Sequence, residues 1–211
     1  MKKAALCILL LFGAFIAVAA MQAQNARPTD GVGSFDLSAA QLSPTASGSY
    51  PITGKPTVRA AQINAILAAY HSPARGLGQY LYDEGVKYGI DPVHVLAIFL
   101  HESEMGTTGE ARKTMSPGNE RCLSDRPCVD TQLGGYAQME SWQDGFAHLY
   151  ALLYYGYIEG QVTIPLVGHR CVTVAQIVPV FAPSGDRNDV AAYIANWVRA
   201  VITWRAGRVL V

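Results

Sequence analysis

The residues best suited to chemistry stand at the end of one apolar segment. From Pro92 to Met105 the chain is apolar except for His94, His101, Glu102, Ser103 and Glu104. On a wheel of about 100° per residue, Val93, Leu96, Ala97 and Leu100 form one stripe, and Val95, Ile98 and Phe99 make the opposite face apolar as well. A helix apolar all round belongs in the middle of its domain. Glu102 falls within about 20° of Val95 and about 40° of Ile98, so it continues a buried face and emerges at the helix end. A poorly hydrated carboxyl group has a raised pKa. Held protonated near neutral pH, it can give its proton to a leaving oxygen. The competing reading is a helix-end carboxylate hydrogen-bonded to a neighbour or to water. His101 reads either as a satisfied buried histidine or as a group orienting Glu102's surroundings.

Several helical elements must position that carboxyl. Asp91 is a natural N-cap and Pro92 suits the first turn, so the segment forms a helix to about Met105 with Gly106 past its end. Before it, Thr57 can cap a helix through His71, built on Ile63, Ile66, Leu67 and Tyr70. Ser72-Pro73 starts another that runs to Gly89. After it, Ser141 opens a helix through Tyr157 ended by Gly160; a short segment spans about Val174 to Val180, and a last helix runs from about Asn188 to Arg205. No stretch alternates convincingly at period two. The expected fold is all-α, with the Glu102 helix central and buried.

The wording around Glu102 narrows the chemistry. Tyr88-Gly89-Ile90-Asp91-Pro92, Leu96-Ala97, His101-Glu102-Ser103 and Gly106-Thr107 together resemble the catalytic helix of the lysozyme-like superfamily. The resemblance is closest to the endo-β-N-acetylglucosaminidase-type domains of bacterial wall hydrolases. Met115-Ser116-Pro117-Gly118-Asn119-Glu120-Arg121-Cys122 resembles their cleft loop, with Glu120 where that family usually has an apolar residue. Tyr136 with Ser141-Trp142 and Gly145 is similar to the segment entering the next helix. Phe181-Ala182-Pro183 with Asp186, Asn188, Asp189 and Tyr193 resembles the closing motif, before a helix that ends at Trp204-Arg205. The pieces occur in family order over roughly residues 72–205. The resemblance implies a lysozyme-like fold and Glu102 as proton donor, with Ser103, Asn119, Arg121, Tyr136 and Tyr193 at the substrate. It also implies cleavage of β-1,4 glycosidic bonds of peptidoglycan or a related N-acetylhexosamine polysaccharide. Arg121 serves either to bind substrate or to pin its loop.

A second catalytic group is not identified by spacing. Glu104 is turned about 200° from Glu102 on the helix. Glu140, Asp144, Asp130, Asp186 and Asp189 are all candidates, although Asp186 and Asp189 read better as caps of the last helix. The substrate's own N-acetyl group is a further candidate nucleophile. A lytic transglycosylase needs one acid/base carboxyl only, so a muramidase or transglycosylase is the alternative enzyme, and an inactive glycan-binding module the alternative to an enzyme. Trp142, Tyr150 and Tyr154 follow helical spacing and read as core; Tyr136 is the better substrate contact.

Other chemistries fit less well. A His-Glu zinc protease needs a second histidine four positions after His101, where Met105 stands. No cysteine-hydrolase motif links a cysteine to His148 or His169. Neither metal nor cofactor is expected. Sixteen basic and sixteen acidic residues cancel, which argues against nucleic acid as the main partner.

The amino-terminal segment points to export. Met1-Lys2-Lys3 followed by an apolar run to Met21 reads as a secretory signal over residues 1–23, or an uncleaved membrane anchor. Residues 24–56, rich in Ser, Thr, Gly, Pro and Ala, read as a flexible linker, leaving 57–211 as the catalytic domain. The expected protein is extracytoplasmic and monomeric, touching membrane only through that first segment. Cys7 lies in the apolar run; of the others, Cys122 can pair with Cys128, or either with Cys171, leaving one thiol.

Overall fold

The computed structural model describes residues 50–160 and 170–211, without the side chain of Leu133. The readings for the signal, for residues 24–49 and for His169 fall outside the described residues. What is described is helix-rich, with a single two-stranded sheet. Helix α1 is Ala60–Ala69, α2 is Gly78–Tyr88, α3 is Pro92–Ser103, and α4 is the single turn Ala111–Thr114. Strands β1 (Cys128–Val129) and β2 (Tyr136–Ala137) pair antiparallel, Cys128 opposite Ala137. Then come α5 (Trp142–Ala151), a π-helical continuation (Leu152–Ile158), α6 (Val174–Phe181) and α7 (Val190–Arg205). Among the described residues no helix is long and apolar enough to cross a membrane.

Helix α3 is the axis of the core. Every residue from Pro92 to Phe99 is buried, as its all-round apolar pattern requires. Its start is fixed by Asp91, itself buried, whose carboxylate accepts from Thr57 N (3.1 Å), Thr57 Oγ1 (2.6 Å) and Arg205 Nη2 (2.9 Å). One carboxylate thus ties the entry of α1, the start of α3 and the end of α7. Thr57 is therefore not the cap of α1, as its position suggested; α1 begins three residues later, after Arg59, with no side-chain cap.

The boundary between linker and domain also moves. Composition places residues 50–56 in the linker, yet Ile52 is fully buried. Its N–H donates to Val172 O (2.9 Å) and its carbonyl accepts from Asp91 N (3.0 Å). Pro51 bridges Thr173 and Thr53 bridges Ile90. The backbone, which composition does not report, recruits this strap.

The end of α3 differs from expectation too. The helix stops at Ser103, because Glu104 and Met105 both take left-handed conformations (φ 49° and 61°). Glu104 N donates to Leu100 O and Met105 N to Phe99 O, a Schellman-type ending that drives Met105 into the core. At the α2–α3 corner Gly89 (φ 64°) does what its position predicts, supplying a left-handed C-cap at no steric cost. Helix α5 is capped by Ser141, whose hydroxyl accepts from Asp144 N (3.1 Å). It runs as α-helix only to Ala151 before widening into the π-helical stretch. Asp189 caps α7 through Ala192 N (2.9 Å), whereas Asp186 sits in a separate 3-10 turn, so only one of the two expected caps is a cap.

Cys122 and Cys128 form a disulfide, and Cys171 is a buried thiol. Tyr150, fully buried, donates its hydroxyl to Leu81 O (2.9 Å). Trp142 packs on Phe99, with ring centroids 5.2 Å apart. Tyr150 is core, as helical spacing indicates, and Trp142 is partly buried against the core.

Candidate active site

Glu102 lies in the last turn of α3, where the buried face meets the surface. Its carboxyl group is bonded on both oxygens. Tyr193 Oη, from the first turn of α7, donates to Oε1 at 2.8 Å. Asn119 Nδ2 donates to Oε2 at 3.1 Å and also to the Glu102 carbonyl at 3.0 Å. Desolvation pushes the carboxyl above its ordinary range, and the bonds from Tyr193 and Asn119 pull it part of the way back. The same burial, with the nearby carboxyl, drives the Tyr193 phenol well above its usual value, so that hydroxyl stays a donor. The result is a carboxyl group held in one orientation by two neutral donors.

Three distant parts of the chain build this arrangement. Asn119 reaches it from the loop after α4, in a left-handed conformation (φ 49°) closed by its N–H to Ser116 O (3.1 Å). Tyr193 is presented by α7, which packs along α3 through Trp197 against His94. His101 is exposed rather than buried. It stacks on Tyr193 with ring centroids 3.5 Å apart and 15° between planes, so it braces the phenol that holds Glu102.

The remaining expected site residues separate into a second group and a structural one. Arg121 and Tyr136 are brought together: the guanidinium lies 4.5 Å from the Tyr136 ring centroid, and Arg121 Nη1 donates to Gly135 O (3.3 Å). Both side chains are nearly covered. In this arrangement Arg121 pins the β1–β2 loop and the Tyr136 ring lies beneath its guanidinium. Ser103, expected at the substrate, is buried and spent on helix termination, donating to Phe99 O (3.1 Å) and accepting from Gly106 N (2.9 Å). A hydroxyl at that position caps the helix from within because its own turn is the last one.

Three of the candidate second carboxylates have other work. Asp144 accepts from Arg126 Nη1 (2.8 Å) and Glu140 N (3.0 Å), and Asp189 is the α7 cap. Asp130 pairs with Lys113 at 3.3 Å. Glu140 is exposed. Among the described residues no group of three or more His, Cys, Asp or Glu side chains converges as a metal site.

One feature was missed in the sequence. Glu120 is buried, and its Oε2 lies 2.6 Å from His148 Nδ1 on α5. Pairing with Glu120 raises the His148 imidazole above its usual value. The only available signal was the charged residue standing in an apolar slot of the loop. Of the groups a cysteine hydrolase would use, Cys122 and Cys128 are joined to each other, Cys171 is a buried thiol, and His148 is bonded to Glu120.

No known protein-family model matches the chain, and no curated protein resembles it significantly.

Proposed function

We propose that this protein is an exported peptidoglycan hydrolase of lysozyme-like type, cleaving β-1,4 glycosidic bonds of the wall glycan as an N-acetylglucosaminidase does, with Glu102 as general acid. The observation that carries the reading is the Glu102 carboxyl itself. It is desolvated at the end of a buried helix, bonded by Tyr193 and Asn119, and raised above its ordinary range. Such a group keeps its proton to higher pH than a free carboxyl and can deliver it to the glycosidic oxygen as the bond to the anomeric carbon breaks. Tyr193 and Asn119 then stabilise the carboxylate left behind, since both donate to it.

A lytic transglycosylase is the second reading, favoured by the employment of Asp144 and Asp189 elsewhere. There the same carboxyl protonates the leaving oxygen and, as carboxylate, takes the proton of the sugar's own hydroxyl as it closes an anhydro ring.

The test is digestion of bacterial peptidoglycan by the full chain and by Glu102→Gln, with released fragments read by mass spectrometry after reducing-end labelling. Fragments from the wild type alone support the proposal, and their ends name the bond: N-acetylglucosamine, N-acetylmuramic acid or an anhydro sugar. Undiminished cleavage by a folded Glu102→Gln protein sinks it. Intact polymer that nonetheless pulls down both proteins would instead favour a glycan-binding module.

A further inference from the structure

We propose that Glu120 and His148 are a positioning pair, clamping the Asn119 loop to α5 so that the Asn119 amide stays on the Glu102 carboxyl. The inference rests on the reading of Glu102 as the acid. Asn119 sits in a left-handed turn (φ 49°) that asparagine tolerates, and where its amide points is set by how the loop on either side is anchored. The next residue supplies the anchor. Glu120 N donates to Ser116 Oγ (2.9 Å), and Glu120 O accepts from Ala137 N (3.0 Å) on β2. Its side chain, 5% exposed, reaches across to His148, 29% exposed, at 2.6 Å.

The pair is sensitive to either partner. Glu120 Oε1 has no hydrogen-bond partner among the described residues, so His148 is the carboxylate's one bonded support there. A buried carboxylate deprived of its cation is strongly destabilised in place, so the loop that carries it must move. The other groups facing this pair are few. Asp125 favours the imidazolium, Arg126 opposes it, and Tyr157 feels the Glu120 charge. Arg126 is itself neutralised by Asp125 and Asp144. The charged pair therefore exists below the raised pKa of His148 and weakens as pH rises through it, and Asn119 should report that change.

Two measurements decide it. In the full-length Glu102→Gln protein, where the acid no longer titrates, the Asn119 side-chain amide is followed by NMR across pH. It should shift with the same midpoint as the His148 ring signals, and the shift should vanish when Glu120→Gln is added. An amide that stays put through the His148 titration overturns the proposal. In the otherwise wild-type chain, Glu120→Gln should lower kcat on peptidoglycan on the order of tenfold, as a misplacement of less than an ångström does, with KM within about twofold. The double variant with Asn119→Ala should be no slower than Asn119→Ala alone, because the pair acts through that amide. Additive losses overturn the proposal. Should Glu120→Gln fail to fold, Glu120→Leu with His148→Leu replaces the pair by apolar volume and must likewise abolish the amide shift. If the wild type cuts no glycan, the proposed function fails, while the amide titration still decides the clamp.

Discussion

Acid should loosen this fold through one buried imidazole. His94 lies on the same helix as Glu102, fully buried, and its Nδ1 accepts the indole N–H of Trp197 at 2.9 Å. An indole nitrogen can only donate, so Nδ1 must keep its lone pair and the ring must be neutral; a proton there would set N–H against N–H. Burial lowers His94 from 6.5 to about 3, with Arg205 adding to the effect and Asp91 opposing it. Because the folded pKa lies below the unfolded one, the unfolded chain binds the additional proton between those values. Stability is then complete above about pH 6.5 and falls as pH drops toward 3. At about 1.4 kcal/mol per pKa unit the whole displacement is worth roughly 5 kcal/mol, comparable with the entire stability of many domains. The assay is urea unfolding at a series of pH values for the wild type and for His94→Gln, whose amide oxygen can still accept from Trp197 but does not titrate. Between about pH 6.5 and 4 the wild type should lose on the order of 3 kcal/mol more than the variant. Parallel stability curves would refute the reasoning. The interface at stake is that between α3 and α7, which also brings Tyr193 to Glu102, so activity should disappear with it.

Two further outcomes concern the site and its frame. Tyr193→Phe removes a bond that favours the ionised form of Glu102, so the carboxyl should hold its proton to higher pH. The alkaline limb of kcat should move upward while the maximum falls, and a limb that stays or moves down in the pH–rate profile would contradict the assigned role. Gly145→Ala should destabilise by about 1–3 kcal/mol, the usual cost of overpacking. A Cβ there would collide with the Met115 carbonyl and lie 2.8 Å from Pro117 Cδ, forcing α5 from the loop that carries Asn119. Thermal unfolding checks this, and an unchanged melting temperature would mean that the approach is not as tight as described.

Much of this architecture is local in origin and so can be read along the chain. The all-round apolar face from Val93 to Phe99 dictates a buried helix wherever it packs, and Asp91, Pro92 and Gly89 mark its start through short-range backbone chemistry. Ser141 and Asp189 cap their helices for the same reason. The location of Glu102, where a buried face runs out, follows from periodicity alone. What periodicity does not carry is which distant groups meet. Tyr193 reaches Glu102 across 91 positions and Arg205 reaches Asp91 across 114, and no local pattern encodes either encounter. The resemblance places Ser103 at the substrate, yet the helix ending holds its hydroxyl on Phe99 O and Gly106 N. For Arg121 the chain offers both a substrate contact and a loop pin, and only the fold brings its guanidinium to the Gly135 carbonyl and the Tyr136 ring. The strap of residues 50–56 escaped composition because backbone hydrogen bonds, rather than large side chains, hold most of it. Glu120 showed only that something charged replaced something apolar. The tertiary structure decided that a histidine from another helix would share its burial, because a buried charge persists only where the fold supplies its counterpart.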